Sequence, residues 1–82
     1  MYFVYFLKST RNNKIYVGST GKLPVERLKE HNIGTNMWTK SNKPFELKCF
    51  EQYFCKTDAL KRERFYKTGF GRKIRDIIIK ET

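Results

Sequence analysis

The feature that most constrains the fold is an unbroken run of aromatic and aliphatic residues near the start of the chain, Tyr-Phe-Val-Tyr-Phe-Leu-Lys at positions 2–8. The run does not alternate between apolar and polar residues, as a strand with one solvated face would. Its aromatic and β-branched content favours a strand that is buried on both faces. We therefore predict a strand at residues 2–8 that lies inside the fold.

A second strand and a helix are predicted to follow. Residues 9–13 form a polar turn, and residues 14–19, Lys-Ile-Tyr-Val-Gly-Ser, predict the second strand of an antiparallel hairpin. After a short Gly-containing turn, Pro24 is well placed at the first position of a helix that extends to about Asn32. Gly34 is predicted to end this helix.

The second half of the chain predicts one more strand and two more helices. Residues 35–44 are polar and show no period, so we expect a long irregular loop there. Residues 45–54 alternate loosely as a third strand, residues 58–68 form a helix, and a short amphipathic helix follows it. Thr57 is the predicted N-cap of the first of these helices, and Gly69 and Gly71 are predicted to end it. The apolar face of the second helix consists of Ile74, Ile77 and Ile78.

The order strand, strand, helix, strand, helix, helix predicts an α/β fold in which helices flank a small, mostly antiparallel sheet of three strands. The 82 residues fit one domain, which we expect to span residues 1–82. A hydrophobic content of 39% is enough to fold without disulfides. Cys49 and Cys55 lack metal-ligand spacing, so we expect reduced thiols in a cytoplasmic protein, with a disulfide as the alternative.

The chain carries a formal net charge of +10, from 18 Lys and Arg against eight Asp and Glu. This charge predicts a polyanionic partner, either a nucleic acid or an anionic membrane surface. It is spread over the chain instead of lying on one amphipathic helix, which favours nucleic acid. No apolar run approaches the roughly 20 residues that span a bilayer, and Met1 leads directly into the first strand, so we expect neither a membrane anchor nor an export signal.

Arg27 and His31 lie four residues apart on the first predicted helix and therefore share one of its faces. Together they have the chemistry of a phosphate clamp beside a proton-transfer group. A solvated helix face with one surface histidine has the same spacing. The pair alone does not distinguish these two interpretations.

Glu63 is an acid in a basic segment of the second long helix, among Lys61, Arg62 and Arg64. One interpretation is an i, i+4 ion pair with Lys67, which contributes only about 0.3 to 0.5 kcal/mol. The other is a single-carboxylate site for Mg²⁺, an ion that keeps most of its waters and takes further oxygens from a substrate phosphate. Both interpretations stay open at this point.

Tyr5 and Tyr16 lie on the two strands of the predicted hairpin, where cross-strand positions can bring two phenols into one pocket. Strand tyrosines are more often core or interface aromatics. A phenol with a pKa near 10 is a poor base in water, but it can activate a water molecule when cations or a metal stabilise the phenolate. Lys14, His31 and a bound metal are the candidates for that stabilisation.

Four segments carry these residues in a characteristic order: Tyr-Phe-Val-Tyr-Phe-Leu-Lys, Lys-Ile-Tyr-Val-Gly-Ser-Thr, Arg-Leu-Lys-Glu-His and Ala-Leu-Lys-Arg-Glu-Arg-Phe-Tyr-Lys. Together they resemble the GIY-YIG nuclease superfamily. The chain looks most like the short stand-alone members, which are related to the nuclease domain found at the N-terminus of an excinuclease. The resemblance covers nearly the whole chain and implies a GIY-YIG-like fold and metal-dependent cleavage of DNA.

The resemblance also implies roles for the tyrosines. Residues 3–5 take the place of the first signature triplet, with Phe3 where Gly gives the triplet its name, and residues 16–18 take the place of the second. Tyr5 corresponds to the family's base that deprotonates the attacking water. Tyr16 corresponds to the second tyrosine beside it.

Three further roles follow from the same resemblance. Arg27 matches the arginine that contacts the phosphate, His31 matches the histidine that assists proton transfer, and Glu63 matches the acid that holds one divalent metal, Mg²⁺ or alternatively Mn²⁺. Larger family members also carry a late polar residue, often Asn, and this chain has no clear counterpart after Glu63.

DNA is the implied substrate, in repair, recombination or processing. The predicted DNA contacts are Lys14, Trp38, Lys40, Lys43, Arg62 and Lys67. Because many relatives carry an attached DNA-targeting domain that is not found here, we expect a protein partner to supply targeting. Two alternatives stay open: a non-catalytic nucleic-acid-binding module on the same fold, and a structural or partner-regulating protein whose charge serves protein contacts.

Overall fold

A computed structural model describes residues 1–34 and 37–81 of the chain, without the side chain of Trp38. The predicted order of strands and helices is confirmed, with one additional short helix between the first long helix and the third strand. In chain order the elements are β1 (Tyr2–Ser9), β2 (Ile15–Thr20), α1 (Pro24–Ile33), α2 (Met37–Asn42), β3 (Phe45–Tyr53), α3 (Lys56–Tyr66) and α4 (Gly69–Lys80).

The sheet has three strands in the order β2-β1-β3, and β1 pairs antiparallel with both neighbours. The predicted three-stranded sheet is therefore confirmed, and both of its pairings are antiparallel. The central position of β1 explains why its sequence does not alternate, because every side chain from Phe3 to Leu7 is buried.

Helices cover both faces of this sheet. Alternation along β1 sends Val4 and Phe6 to one face and Tyr5 to the other. The first face packs against α3 and α4 in a cluster of Val4, Phe6, Val17, Ala59 and Tyr66. The second face packs against α1 in a cluster of Tyr5, Leu7 and Phe45, with Tyr16, Leu28 and Leu47 around it. Tyr5 thus lies beneath α1.

The helix α1 has the boundaries that its sequence predicts, to within one residue. Pro24 stands in its first turn, and Gly34 ends it in the left-handed conformation, with φ of 86°. Near this end the Asn32 side chain holds the helix to β3, because its amide donates to the carbonyl of Phe45 at 3.2 Å and accepts from the Phe45 N–H at 2.6 Å. His31, the residue before Asn32, is thereby oriented towards the sheet, where it is fully buried.

The prediction of an irregular loop at residues 35–44 is wrong for α2, while Thr35 and Asn36 lie outside the described residues. Polar contacts hold this short helix in place instead of an apolar face. Thr39 and Asn42 are buried, and the backbone carbonyl of Asn42 accepts a hydrogen bond of 2.5 Å from Ser9. Since such contacts come from the distant β-hairpin, the local sequence shows no helical period.

The start of α3 also differs from the prediction. The helix begins at Lys56, and Cys55 instead of Thr57 occupies its N-cap without a side-chain hydrogen bond. Cys49 and Cys55 are both free thiols. In the described part of the chain, no helix has the length and apolar character needed to cross a membrane.

The glycine pair does not end α3 as predicted. That helix ends at Tyr66, and Gly69 and Gly71 instead lie in the first turn of α4. Thr68 is the N-cap of α4, and its Oγ1 accepts a hydrogen bond of 3.0 Å from the Gly71 N–H. The chain therefore turns between the two helices within a few residues, which brings the start of α4 against the end of α3.

Candidate active site

The candidate site begins with the two tyrosines on the α1 face of the sheet. In the hairpin register Tyr5 pairs with Gly18 and Leu7 pairs with Tyr16, so the two tyrosines are diagonal neighbours on one face. Their ring centroids lie 6.2 Å apart. The phenols share a pocket because the hairpin register, and not only the strand assignment, aligns them.

His31 closes this pocket from α1. Its Nε2 lies 2.9 Å from the phenol oxygen of Tyr5, at hydrogen-bond distance. Its ring centroid lies 4.6 Å from that of Tyr16. The imidazole therefore contacts both tyrosines, while its buried Nδ1 has no hydrogen-bond partner among the described residues.

The sequence left open that a positively charged His31 stabilises a phenolate, but the buried imidazole is neutral. Burial, reinforced by the positive charge of Arg27, lowers the pKa of the His31 imidazole below its ordinary value of 6.5. The ring is therefore neutral near pH 7 and acts as a proton acceptor or a neutral donor. The neighbouring positive charge that favours a phenolate is supplied by Arg27.

Arg27 lies one helical turn before His31, and its guanidinium is close enough to lower the pKa of the Tyr5 phenol. Its guanidinium forms an ion pair with Glu30, and Glu30 forms a second ion pair with Lys22 at 2.8 Å. Since the Arg27 side chain is 27% exposed, it can reach a ligand at the surface while it contacts the buried phenol. Glu30 holds Arg27 in this position.

Tyr5 is a protonated phenol in this environment. Burial raises its pKa to about 12, although the neighbouring Arg27 guanidinium acts in the opposite direction. The negative charge of Glu63 adds to the increase. Near pH 7 the phenol oxygen of Tyr5 can therefore accept a proton only if the phenol releases its own hydroxyl proton. The acceptor within reach of that proton is His31.

Gly18 makes room for the Tyr5 phenol. A Cβ at this position would lie 2.4 Å from the phenol oxygen of Tyr5 and 2.6 Å from its Cζ. Any side chain on the strand position opposite Tyr5 would therefore displace the ring. The glycine of the second triplet is needed because the phenol passes directly over the backbone.

For the DNA cleavage that the resemblance implies, Gly18→Ala is expected to lower the rate by about 100-fold, the effect of moving a reacting group by about 1 Å. The measurement is the single-turnover cleavage rate, accompanied by a thermal unfolding curve. Gly21→Ala is the matched control, because its Cβ would meet Tyr2 only at an ordinary contact distance of 3.4 Å. Equal rates for the two variants would contradict the close packing at Gly18.

Glu63 projects from α3 beside the edge strand β2. Its Oε1 accepts a hydrogen bond of 2.5 Å from the Ser19 hydroxyl, and its Oε2 accepts one of 2.6 Å from Lys67. The charge of Glu63 makes a small contribution to raising the pKa of the Tyr5 phenol. The carboxylate also forms the i, i+4 pair with Lys67 that the sequence allowed.

Glu63 is ionised despite its position. Burial alone would favour the neutral acid, but the hydrogen bonds from Lys67 and Ser19 outweigh it and lower the pKa of the carboxyl. Each oxygen retains a lone pair beyond the one it uses, so the carboxylate can bind a cation. Lys67 is 54% exposed and can move away from it.

The donor set fits a hard divalent cation held by one carboxylate. Within residues 1–34 and 37–81, no group of three or more His, Cys, Asp or Glu side chains comes together. Mg²⁺ is bound through one or two carboxylates and keeps several waters, so a single ionised carboxylate is compatible with that ion. Glu63 would hold the ion, with Ser19 orienting the carboxylate.

Of the six predicted DNA contacts, Lys67 alone has a described contact with a residue of the site. Lys40 and Lys43 are exposed on and after α2, and Lys14 is exposed in the hairpin turn. The side chain of Trp38 lies outside the described residues. Arg62 points to the opposite side of α3, where it donates to Tyr66 at 3.1 Å and packs over two aromatic rings.

Sequence reasoning missed three contributors to this surface. Ser19 follows the second triplet directly, which was a signal, but its contact with Glu63 depends on the packing of α3 against β2. Arg72 and Arg75 line a cavity beside Tyr16. Their i, i+3 spacing on α4 was a signal, but only the packing of α4 against β2 shows where they lie.

A nuclease-type domain is the class of protein that comparison with protein families indicates. The family model of the GIY-YIG catalytic domain matches residues 1–75 of the 82-residue chain. The chain belongs to the GIY-YIG nuclease superfamily, as its four motifs predict, and nucleases of this family generally use divalent metal ions. No curated protein and no solved structure matches the chain significantly.

Proposed function

We propose that this protein is a Mg²⁺-dependent endonuclease that hydrolyses phosphodiester bonds in DNA, with Mn²⁺ as an alternative ion. The observation that carries the proposal is the 2.9 Å contact between the Tyr5 phenol and His31 Nε2, with the Arg27 guanidinium near enough to lower the pKa of that phenol. A buried core tyrosine needs one hydrogen-bond partner, whereas this phenol has both a neutral base and a cation beside it.

Tyr5 and His31 form a proton relay in the proposed reaction. The phenol oxygen takes a proton from the attacking water while the phenol proton passes to Nε2 of the neutral imidazole. The resulting hydroxide forms a bond to phosphorus, and the bond from phosphorus to the leaving sugar oxygen breaks. The leaving oxygen takes up a proton from solvent, and the His31 imidazolium returns its proton to solvent through the Tyr5 phenol, so proton transfer balances.

Arg27 and Glu63 provide the electrostatic part of the proposal. The partly exposed guanidinium of Arg27 can donate to a phosphate oxygen as its charge increases in the transition state. Glu63 would hold the divalent ion, which stabilises negative charge on the phosphate and on the leaving oxygen when bound. Tyr16 packs on His31 and maintains the orientation of the imidazole.

A nicking assay on supercoiled DNA with Mg²⁺ or Mn²⁺ tests this function. The native protein is expected to nick the DNA, and Glu63→Gln to leave only background activity, because the amide keeps the shape of the side chain but loses its charge. Glu46→Gln is the matched control, since Glu46 is 54% exposed on β3. Chelation of the metal should abolish nicking by the native protein.

The same assay tests the alternative of a non-catalytic nucleic-acid-binding module. That function requires DNA binding with no nicking by the native protein in either metal. Equal residual nicking by the native protein and Glu63→Gln would also count against the catalytic proposal, because the activity would then come from a contaminant.

The pH dependence of cleavage reports on His31. Because burial lowers the pKa of the imidazole, its neutral form persists below pH 6.5, and protonation in more acidic solution removes the proton acceptor. The rate is expected to fall only below pH 6.5. The measurement is the single-turnover rate at saturating protein, and a fall centred above pH 6.5 would contradict a neutral, buried relay histidine.

We further propose a cytoplasmic role in DNA repair, recombination or processing, with a protein partner that supplies targeting. The two free cysteines support a reducing compartment. The need for targeting follows from the kind of contacts available, because Lys and Arg side chains that contact phosphates carry no information on sequence.

A further inference from the structure

A basic cavity lies between the edge strand β2 and the start of α4. It has a volume of about 300 Å³. Its lining consists of three residues of β2 and three cations from the α3–α4 region: Ile15, Tyr16, Val17, Lys67, Arg72 and Arg75. A hollow lined by three positive charges and no acid is a site for an anion.

The two arginines of this cavity are poorly neutralised by the protein, whereas Lys67 pairs with Glu63. The guanidinium of Arg72 makes no hydrogen bond or ion pair with any of the residues the structure describes. Within the described part of the chain, Arg75 pairs only with the adjacent Asp76 at 3.2 Å, and that carboxylate is 62% exposed, so solvent screens it. The Arg75 side chain is itself only 16% exposed, which is unusual for an arginine whose one acidic partner lies in solvent.

The cavity adjoins the candidate active site at two points. Tyr16 lines it and also contacts His31. Lys67 lines it and also pairs with Glu63 at 2.6 Å. An anion in the cavity is therefore next to the residues proposed to cut DNA, but the cavity does not overlap the pocket of Tyr5.

The basic surface continues along β2 away from the active site. A second hollow shares Ile15, Arg72 and Arg75 with the first and adds Asn13 and Lys14 from the hairpin turn, with the exposed carboxylate of Asp76 at its rim as the one acid in the lining. From Tyr16 to Lys14 the strand advances by roughly 7 Å. A single compact anion would fill only one hollow, whereas a chain of phosphates would occupy both.

We propose that this cavity and its extension bind the DNA backbone next to the scissile phosphate, with Arg72 and Arg75 as phosphate ligands. Guanidinium groups bind phosphate oxygens in bidentate geometry and stay charged at every physiological pH. The assignment rests on the proposed nuclease function, because the proposed binding mode places one DNA strand across the active site and along β2. Arg72 and Arg75 hold substrate there and take no part in proton transfer.

The test compares two double variants of equal charge. One is Arg72→Gln with Arg75→Gln, and the other is Lys61→Gln with Lys73→Gln, which removes two exposed lysines from α3 and α4 that do not line the cavity. Binding of a short fluorescein-labelled duplex is measured by anisotropy in the presence of a chelator, over a range of salt concentrations. The chelator prevents cleavage, so binding is measured independently of catalysis.

The arginine variant is expected to raise the Kd on the order of tenfold and to reduce the slope of log K against log salt by about 2, for two lost phosphate contacts. The lysine variant should stay close to the native Kd. Equal losses in the two variants would overturn the proposal, because the effect would then be that of net charge. Since Arg75 is partly buried, Arg72→Gln alone is measured as well, and native binding by that variant also overturns the assignment.

The cleavage assay separates the two proposals. If the native protein cuts DNA and the arginine variant binds normally, the cavity assignment fails and the nuclease function stands. If binding depends on Arg72 and Arg75 but the native protein never cuts, the nuclease proposal fails and the phosphate contacts stand. If both proposals hold, the arginine variant should cut subsaturating DNA about tenfold more slowly than the native protein, in proportion to its weaker binding.

Discussion

Tyr5→Phe is expected to lower the rate of DNA cleavage by about 10²- to 10⁴-fold, the usual contribution of a positioned general base. The substitution removes one oxygen and keeps the ring that fills the space above Gly18. The aromatic contacts of Tyr5 with Tyr16 and His31 are therefore preserved. What is lost is the group that connects the attacking water to the imidazole.

The variant also leaves the His31 imidazole without its phenol partner. Because Nδ1 is already unpaired, the buried ring would then have neither nitrogen hydrogen-bonded within the described protein. An unsatisfied buried polar group costs about 1 to 3 kcal/mol of unfolding free energy. Thermal unfolding is therefore measured beside cleavage, and rates are compared well below the midpoint of the less stable variant.

Tyr53→Phe is the matched control for Tyr5→Phe. Tyr53 donates to Glu51 at 2.6 Å on the side of the sheet where Arg62 and Tyr66 lie, and burial raises its pKa to about 12 as well. It thus resembles Tyr5 in chemistry but not in position. The control should cut DNA at a near-native rate. If Tyr5→Phe did the same, the relay would be wrong and the base would have to be another group.

Gly71→Ala is expected to have the largest effect on stability. Its Cβ would lie 1.7 Å from the carbonyl oxygen of Phe65 and 2.9 Å from Cα of Tyr66. These are backbone atoms of α3, so no change of rotamer relieves the overlap, and the two helices must move apart. We expect a loss of about 3 kcal/mol or more in unfolding free energy and a fall in Tm on the order of 10–20 °C.

A displacement of α4 at Gly71 would disturb the core, because the neighbouring Tyr66 is a fully buried core residue. It would also disturb the start of α4, because the Gly71 N–H is hydrogen-bonded to the N-cap residue Thr68. Gly69→Ala is the control. Gly69 lies in the same first turn, but a Cβ there meets nothing within 4 Å, so that variant should be neutral or slightly stabilising. Urea or thermal unfolding of both variants checks the prediction, and similar midpoints would contradict the packing of α3 on α4.

Several parts of the fold follow from local sequence alone. The unbroken apolar run of β1 predicts burial on both faces because only a central strand has neighbours on both sides and layers above and below. Pro24 and Gly34 mark the ends of α1 because one restricts φ and the other tolerates a positive φ. These are properties of single residues, so they do not depend on distant contacts.

Other parts could not be predicted locally. The helix α2 depends on buried hydrogen bonds from Ser9, which is 33 residues away from Asn42. The glycines after α3 looked like a helix end, yet Gly71 is needed for the close packing of α4. Both errors concern positions where tertiary contact outweighed local propensity.

The candidate site divides in the same way. The sequence alone determined the residue types, the shared face of Arg27 and His31, and the strand positions of the tyrosines. These features depend only on chain spacing and on the period of a strand or helix. The tertiary structure decided that His31 is neutral, that Arg27 is the cation beside Tyr5, and that Ser19 orients Glu63 across 44 residues. It also decided that Arg72 and Arg75 lie beside Tyr16. Burial and charge are sums over neighbours from distant parts of the chain, and only the folded structure brings those neighbours together.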